Sequence, residues 1–199
     1  MTTAPDLPSI IASAAAQRAL RPRNDLGEPG WRFWEVRTLN MHRVVGLLHE
    51  YRRFADARDF EGTIRGVVAR NFKAAWWRGL AFGVVAEVAV SSVGAEDLKI
   101  LVDGRENPKG TLQWVVLVDS DTHIALGVHT WMEAYLSPVY RQALRALETT
   151  GYQVASARKE KDGLMQFLTG VADVNLALRT FGTRRRAFPE FRDDPRRDP

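Results

Sequence analysis

The chain is expected to fold as an α+β protein: N-terminal helices, a mainly antiparallel sheet of about four to five strands, and C-terminal helices packed on one face. Three observations support this. Apolar residues recur at helical spacing before residue 73 and after residue 136, they alternate at period two between residues 80 and 131, and turn-forming clusters separate these stretches.

With 199 residues, 45% of them hydrophobic and 26% charged, the chain is long enough for one full core and too apolar to be disordered throughout. The reading divides it into an N-terminal helix and linker (1–30), a single globular domain (31–182) and an arginine-rich flexible tail (183–199). The 28 Lys and Arg residues exceed the 24 Asp and Glu by only four, so a polyanion partner is permitted but not demanded. There is no cysteine, which excludes disulfides, thiolate catalysis and zinc-cysteine sites and fits a reducing, cytoplasmic setting.

The elements follow in order. Residues 10–16 contain Ala-x-Ala steps but lack a basic lead-in, and they read as a short helix opening near Ser9 rather than a signal peptide. Residues 21–30 hold Pro22, Asn24, Gly27, Pro29 and Gly30 and read as a linker. Residues 31–37 mix bulky and charged side chains, as an edge strand or an extended lead-in does. Met41, Val44, Leu48, Tyr51 and Ala55 recur at three and four and predict a helix over 40–56. Phe60, Ile64, Val67, Val68 and Phe72 predict a second helix from Asp59 to Asn71.

From Leu80 to Val90 the period is two, with one heavy face and one light face that holds Glu87. The apolar run 79–93 is shorter than the ~20 residues a membrane-crossing helix needs, so a buried strand is expected and no transmembrane segment. Residues 98–103 read as a further strand. Residues 112–119 and 123–131 read as a hairpin with a three-residue loop of Ser120, Asp121 and Thr122, which places Asp119 opposite His123. Ser137-Pro138 opens a helix to about Thr149, residues 152–158 return as a strand, and Leu164, Phe167, Leu168, Val171, Val174 and Leu178 predict a last helix.

Few residues carry chemistry. Asp119-Ser120-Asp121 closes an apolar strand, and two carboxylates one residue apart at a strand end can hold Mg²⁺ or Mn²⁺. Over about eight residues this step resembles the metal motif of nucleotide-sugar glycosyltransferases and, less closely, the first motif of haloacid-dehalogenase-type phosphatases. The first resemblance implies an upstream parallel nucleotide-binding unit, and the second implies Thr or Val where His123 stands. Turn chemistry alone also accounts for Asp-Ser-Asp-Thr.

Asp119 beside His123 makes a candidate general-base pair, against the ordinary alternative of a surface cross-strand ion pair. Glu87 is a candidate buried carboxylate, or else a solvent-facing residue of the light face. His42 and His49 fall seven apart on the solvated face of the helix expected at 40–56, about 10 Å from each other. His123 and His129 lie about 20 Å apart along their strand.

The tail places Arg179, Arg184, Arg185 and Arg186 among Phe181, Phe188 and Phe191, a pattern that tracks phosphates or docks on a partner protein. Asp193, Asp194 and Asp198 offset part of its charge. Because no phosphate loop, His-Glu-x-x-His or nucleophile-elbow motif is present, the leading expectation is a non-catalytic binding or interaction protein with no evident cofactor. The alternatives are a Mg²⁺- or Mn²⁺-dependent hydrolase or transferase using Asp119 and Asp121, and a nucleic-acid-binding protein.

Overall fold

The computed structural model describes residues 6–50, 54, 56–73, 79–89, 93, 97, 101, 111–130, 136–159 and 165–168. The order is α1 (Leu7–Ala16), β1 (Arg21–Pro22), β2 (Trp31–Arg37), β3 (Met41–Leu48), α2 (Ala57–Asn71), β4 (Gly79–Glu87), β5 (Thr111–Asp119), β6 (Ile124–Thr130), α3 (Ser137–Thr149), β7 (Gln153–Lys159) and β8 (Met165–Leu168). Among the described residues eight strands, the first only two residues long, join one sheet in chain order. β3, β4 and β5 are parallel, β6 and β7 are parallel, and the remaining neighbours are antiparallel. The sheet is therefore mixed and wider than the mainly antiparallel four to five strands expected. The helices cover both of its faces rather than one.

The expected helix over 40–56 is where the reading first departs from the structure. Its residues 41–48 are β3, in which Val44, Val45, Leu47 and Leu48 are all buried. A strand covered on both sides has no polar row, so a three-and-four spacing can be picked out of it by chance. The β-branched pair Val44 and Val45 favours the extended chain. Gly46 is needed because a side chain there would meet the Trp31 ring at 2.9 Å.

Once β3 is a strand, α2 becomes the crossover that lets β4 lie parallel to it. The Asp56 carboxylate caps α2 by accepting the Arg58 N–H at 2.7 Å. One face of α2 packs Phe60, Ile64 and Val68 on Val44, Phe82, Val84 and Leu117. This helix agrees with the one expected at 59–71 to within two residues.

On the opposite face α1 and α3 cover Val45, Val85, Trp114, Val116 and Val118. Asp6, not Ser9, caps α1, accepting the Ser9 N–H at 3.0 Å. Leu136, not Ser137, stands at the cap of α3, and its N–H donates to the buried Gln113 Oε1 at 3.1 Å. Two glycines make the layer possible. Gly83 lies under the Trp114 indole and Gly127 under the Tyr140 ring, each too close for a Cβ. The Tyr140 hydroxyl then meets Ser156 Oγ at 2.7 Å.

Three further expectations change. The β5–β6 loop has four residues, 120–123, so Asp119 pairs with Ile124 and Trp114 with His129. The preference for three residues assumed one apolar face, whereas both faces are buried and alternation cannot choose the register. Leu101, the described residue of the strand expected at 98–103, is helical and fully buried. Met165–Leu168 pairs with β7 as a strand where the last helix was expected, and the rest of that helix lies outside the described residues. No helix among the described residues is long and apolar enough to cross a membrane.

Candidate functional site at the carboxyl ends of the parallel strands

Because β3, β4 and β5 run in one direction, their last residues meet at one edge of the sheet. There the antiparallel β2, β6 and β7 begin. In open sheets with parallel strands, this carboxyl edge is where ligands bind. His49 follows β3, Glu87 ends β4, and Asp119 ends β5. The N-terminus of α1 lies close by, since the Asp6 carboxyl feels both His49 and Arg32. It is held below its ordinary range chiefly by the Ser9 hydrogen bonds.

Glu87 is the single charged residue of β4, and only 8 % of it is exposed. It sits on the light face with Ala81, Gly83 and Val85. That face was expected to meet solvent as one of two readings, but α1 and α3 cover it. The register that sets Leu47 beside Val85 and Leu48 beside Ala86 brings His49 next to Glu87. Their nearest atoms, His49 Nδ1 and Glu87 Oε2, are 3.0 Å apart.

That distance is an ion-pair contact, yet the angle is wrong for a hydrogen bond, and both atoms are buried without a hydrogen-bond partner. The two groups are thus in contact by distance while each keeps its hydrogen-bonding capacity. The His49 side chain as a whole is 40 % exposed. With Nδ1 buried, the imidazole presents its other side to solvent.

A cleft of about 230 Å³ opens beside Glu87, lined also by Val88, Ala89, Asp119, Ser120, Asp121 and Thr122. Asp119 is buried, and its Oδ1 accepts the N–H groups of Asp121 and Thr122 at 3.1 and 3.0 Å. Its first task is thus to close the turn, as turn chemistry alone anticipated. Asp121 is exposed at the mouth.

The candidate metal pair is brought to one rim. Among the described residues, though, no three His, Asp or Glu side chains converge closely enough to hold an ion. His123 does not face Asp119. It takes the left-handed turn position at φ 55°, is exposed, and packs its ring on Tyr152 at 5.1 Å. Arg179, Arg184, Arg185, Arg186, Phe188 and Phe191 lie outside the described residues.

A second charged cluster shows what a structural network in this fold looks like. Near the other end of β3, the Glu35 carboxylate receives Arg23 Nη1 at 2.9 Å, the fully buried His42 at 2.8 Å and Arg37 at 3.3 Å. Arg23 also grips Asp25 at 2.7 Å, drawing the Asp25 carboxyl down to about 2, and lies over the Phe72 ring. Burial pushes the Glu35 carboxyl up, but the hydrogen bonds from His42 and Arg23 outweigh it and hold it below the ordinary range. Both Glu35 oxygens are engaged. Glu87 Oε2 is not.

His49 is the residue sequence reasoning missed, because it was placed on the wet face of a helix. The usable signal was its position one residue past the apolar run 44–48, at the end of a strand.

Comparison with protein-family profiles, curated protein sequences and solved structures finds no match for this chain.

Proposed function

We propose that the protein binds a small molecule at the carboxyl ends of β3, β4 and β5, and that His49, oriented by Glu87, exchanges a proton with it. One observation carries this reading: a carboxylate is kept buried on an otherwise apolar strand, beside an imidazole, with an oxygen that no hydrogen bond satisfies. Burying a charge in this way is costly, and a leucine would pack β4 better. The Glu35 cluster supports the contrast, since there every charge is answered by a neighbour.

The neighbouring carboxylate favours the ring form with a proton on Nδ1, which leaves Nε2 as the base toward the solvent side. Val88 and Ala89 supply apolar wall, while Ser120 and Thr122 add hydroxyl-bearing side chains to the lining. A binding role agrees with the leading expectation from the sequence, although that expectation looked to the C-terminal segment for the contact. The cleft offers geometry for it instead.

The test is an amide-shift map of the whole protein with a panel of polar fragments of about ten heavy atoms or fewer, since the cleft is smaller than the roughly 300–1,000 Å³ of drug-sized sites. Shifts gathered at His49, Glu87–Ala89 and residues 119–122 support the reading. Shifts gathered elsewhere, or none at millimolar fragment, remove it.

A further inference from the structure

We propose that residues 24–29 form a strap that opens while the sheet stays folded, and that Glu28 latches it to the end of α2. With Pro22, Gly27, Pro29 and Gly30 in and beside it, the segment cannot continue a helix or a strand. Its ends are fixed, because the Arg23 N–H donates to the Phe33 carbonyl at 2.8 Å and the Gly30 carbonyl accepts the His49 N–H at 2.9 Å. Between these ends the backbone is nearly unbonded. Among the described residues no N–H of residues 24–30 donates to a backbone carbonyl, and within the strap the Glu28 carbonyl alone accepts, from the Trp31 N–H at 3.2 Å. Segments with few backbone bonds and few buried contacts open far more often than the whole fold.

Side chains close the strap. The Glu28 carboxylate receives Arg70 Nε at 3.1 Å, Arg70 Nη2 at 3.2 Å and Asn71 Nδ2 at 2.8 Å, all from the last turn of α2. Between Arg23 and Glu28, Leu26 is half-buried against the core cluster that contains Phe33 and Phe72, while Asn24, Asp25, Gly27 and Pro29 are exposed. Leu26 is therefore the apolar anchor and Glu28 the polar one.

The polar anchor is the one that the solution can reach. The Arg70 side chain is 63 % exposed, so water and dissolved ions compete for its contact with Glu28. An exposed pair of this kind shifts an equilibrium by up to about fivefold. Ionic strength then sets how often Leu26 and the core surface beneath it meet solvent.

The chain has no cysteine, so a single introduced thiol reports its own exposure. The experiment is alkylation of the full chain by iodoacetamide, an uncharged reagent, at Leu26→Cys in the strap and at Val45→Cys, a fully buried position of β3. Each is followed across urea concentrations that leave the protein folded, with and without Glu28→Gln, at low salt and at about 1 M NaCl, where screening acts within about 3 Å. Circular dichroism of each variant shows that it folds.

The proposal expects Leu26→Cys to react at least about tenfold faster than Val45→Cys and with a much weaker urea dependence, since strap opening exposes little surface. Glu28→Gln keeps the shape of the latch and removes its charge, and is expected to speed the Leu26→Cys reaction about two- to fivefold. High salt is expected to do the same with Glu28 present and to add little in Glu28→Gln. A urea dependence as steep as that of Val45→Cys would mean that the strap opens only with the whole fold, and would overturn the proposal. A Leu26→Cys rate that neither Glu28→Gln nor salt changes would overturn it as well, because the thiol would then react without release of the latch.

Discussion

Replacing Glu87 with leucine should make the protein more stable, by about 1–3 kcal/mol. The carboxylate is buried on a strand whose neighbours Val85, Ala86 and Val88 are apolar, and its Oε2 has no hydrogen bond. An unsatisfied buried acceptor costs about 1–3 kcal/mol, and burial of a leucine side chain contributes about 1.5–3 kcal/mol. Against these gains stands the attraction to His49. That ring is 40 % exposed, so solvent screens the pair toward the ~1 kcal/mol typical of surface ion pairs, and water can hydrate the ring once its partner is gone. The net sign agrees with other buried pairs replaced by apolar residues.

For a chain of 199 residues this raises the melting temperature by about 2–12 °C. Thermal and urea denaturation of wild type, Glu87→Leu and His49→Ala provide the measurement. A loss of about 2 kcal/mol or more in Glu87→Leu would mean that the pair holds β3 to β4 as a structural tie. The inference from an unsatisfied carboxylate to a functional one would then be wrong.

Other perturbations follow from the same contacts. Gly83→Ala forces a Cβ into the buried Trp114 indole and should cost about 1–3 kcal/mol in urea denaturation; wild-type stability would contradict the packing described. Asp119→Ala removes the acceptor for two turn N–H groups and should cost about 1–2 kcal/mol, with faster hydrogen exchange at Asp121 and Thr122. Asp119→Asn keeps an acceptor and should lie near wild type, and equal losses in the two variants would refute the turn role. Glu35 is held below its ordinary value of 4.5, so its contribution to stability is present above that value and is lost as pH falls through the lower folded-state value. The melting temperature of wild type should therefore fall more than that of Glu35→Gln between about pH 5 and pH 3, and parallel curves would remove the network's role.

The sequence was most legible where one face of an element meets solvent. α2 and α3 announce themselves through Phe60, Ile64 and Val68 and through the Ser137-Pro138 start. It was least legible where both sides are buried. β3 lost its alternation to Val44, Val45, Leu47 and Leu48, and that one misreading removed a strand, a crossover and the parallel character of the sheet. The β5–β6 register failed for the same reason, since Gly127 is small to admit Tyr140, not to meet water.

Of the site, Glu87, Asp119 and Asp121 were visible as acids out of place or at a strand end. Their common rim was not, because only the parallel arrangement brings the strand ends together. His49 needed β3 to be a strand before it had any neighbour at all.

The most direct measurement of the central claim is the position of the ring proton on His49, read from long-range nitrogen-15 spectra of the neutral imidazole in wild type and Glu87→Leu. A proton on Nδ1 in wild type, with that preference lost in Glu87→Leu, would show that the buried carboxylate orients the imidazole. The same ring form in both proteins, or a proton on Nε2 in wild type, would contradict it.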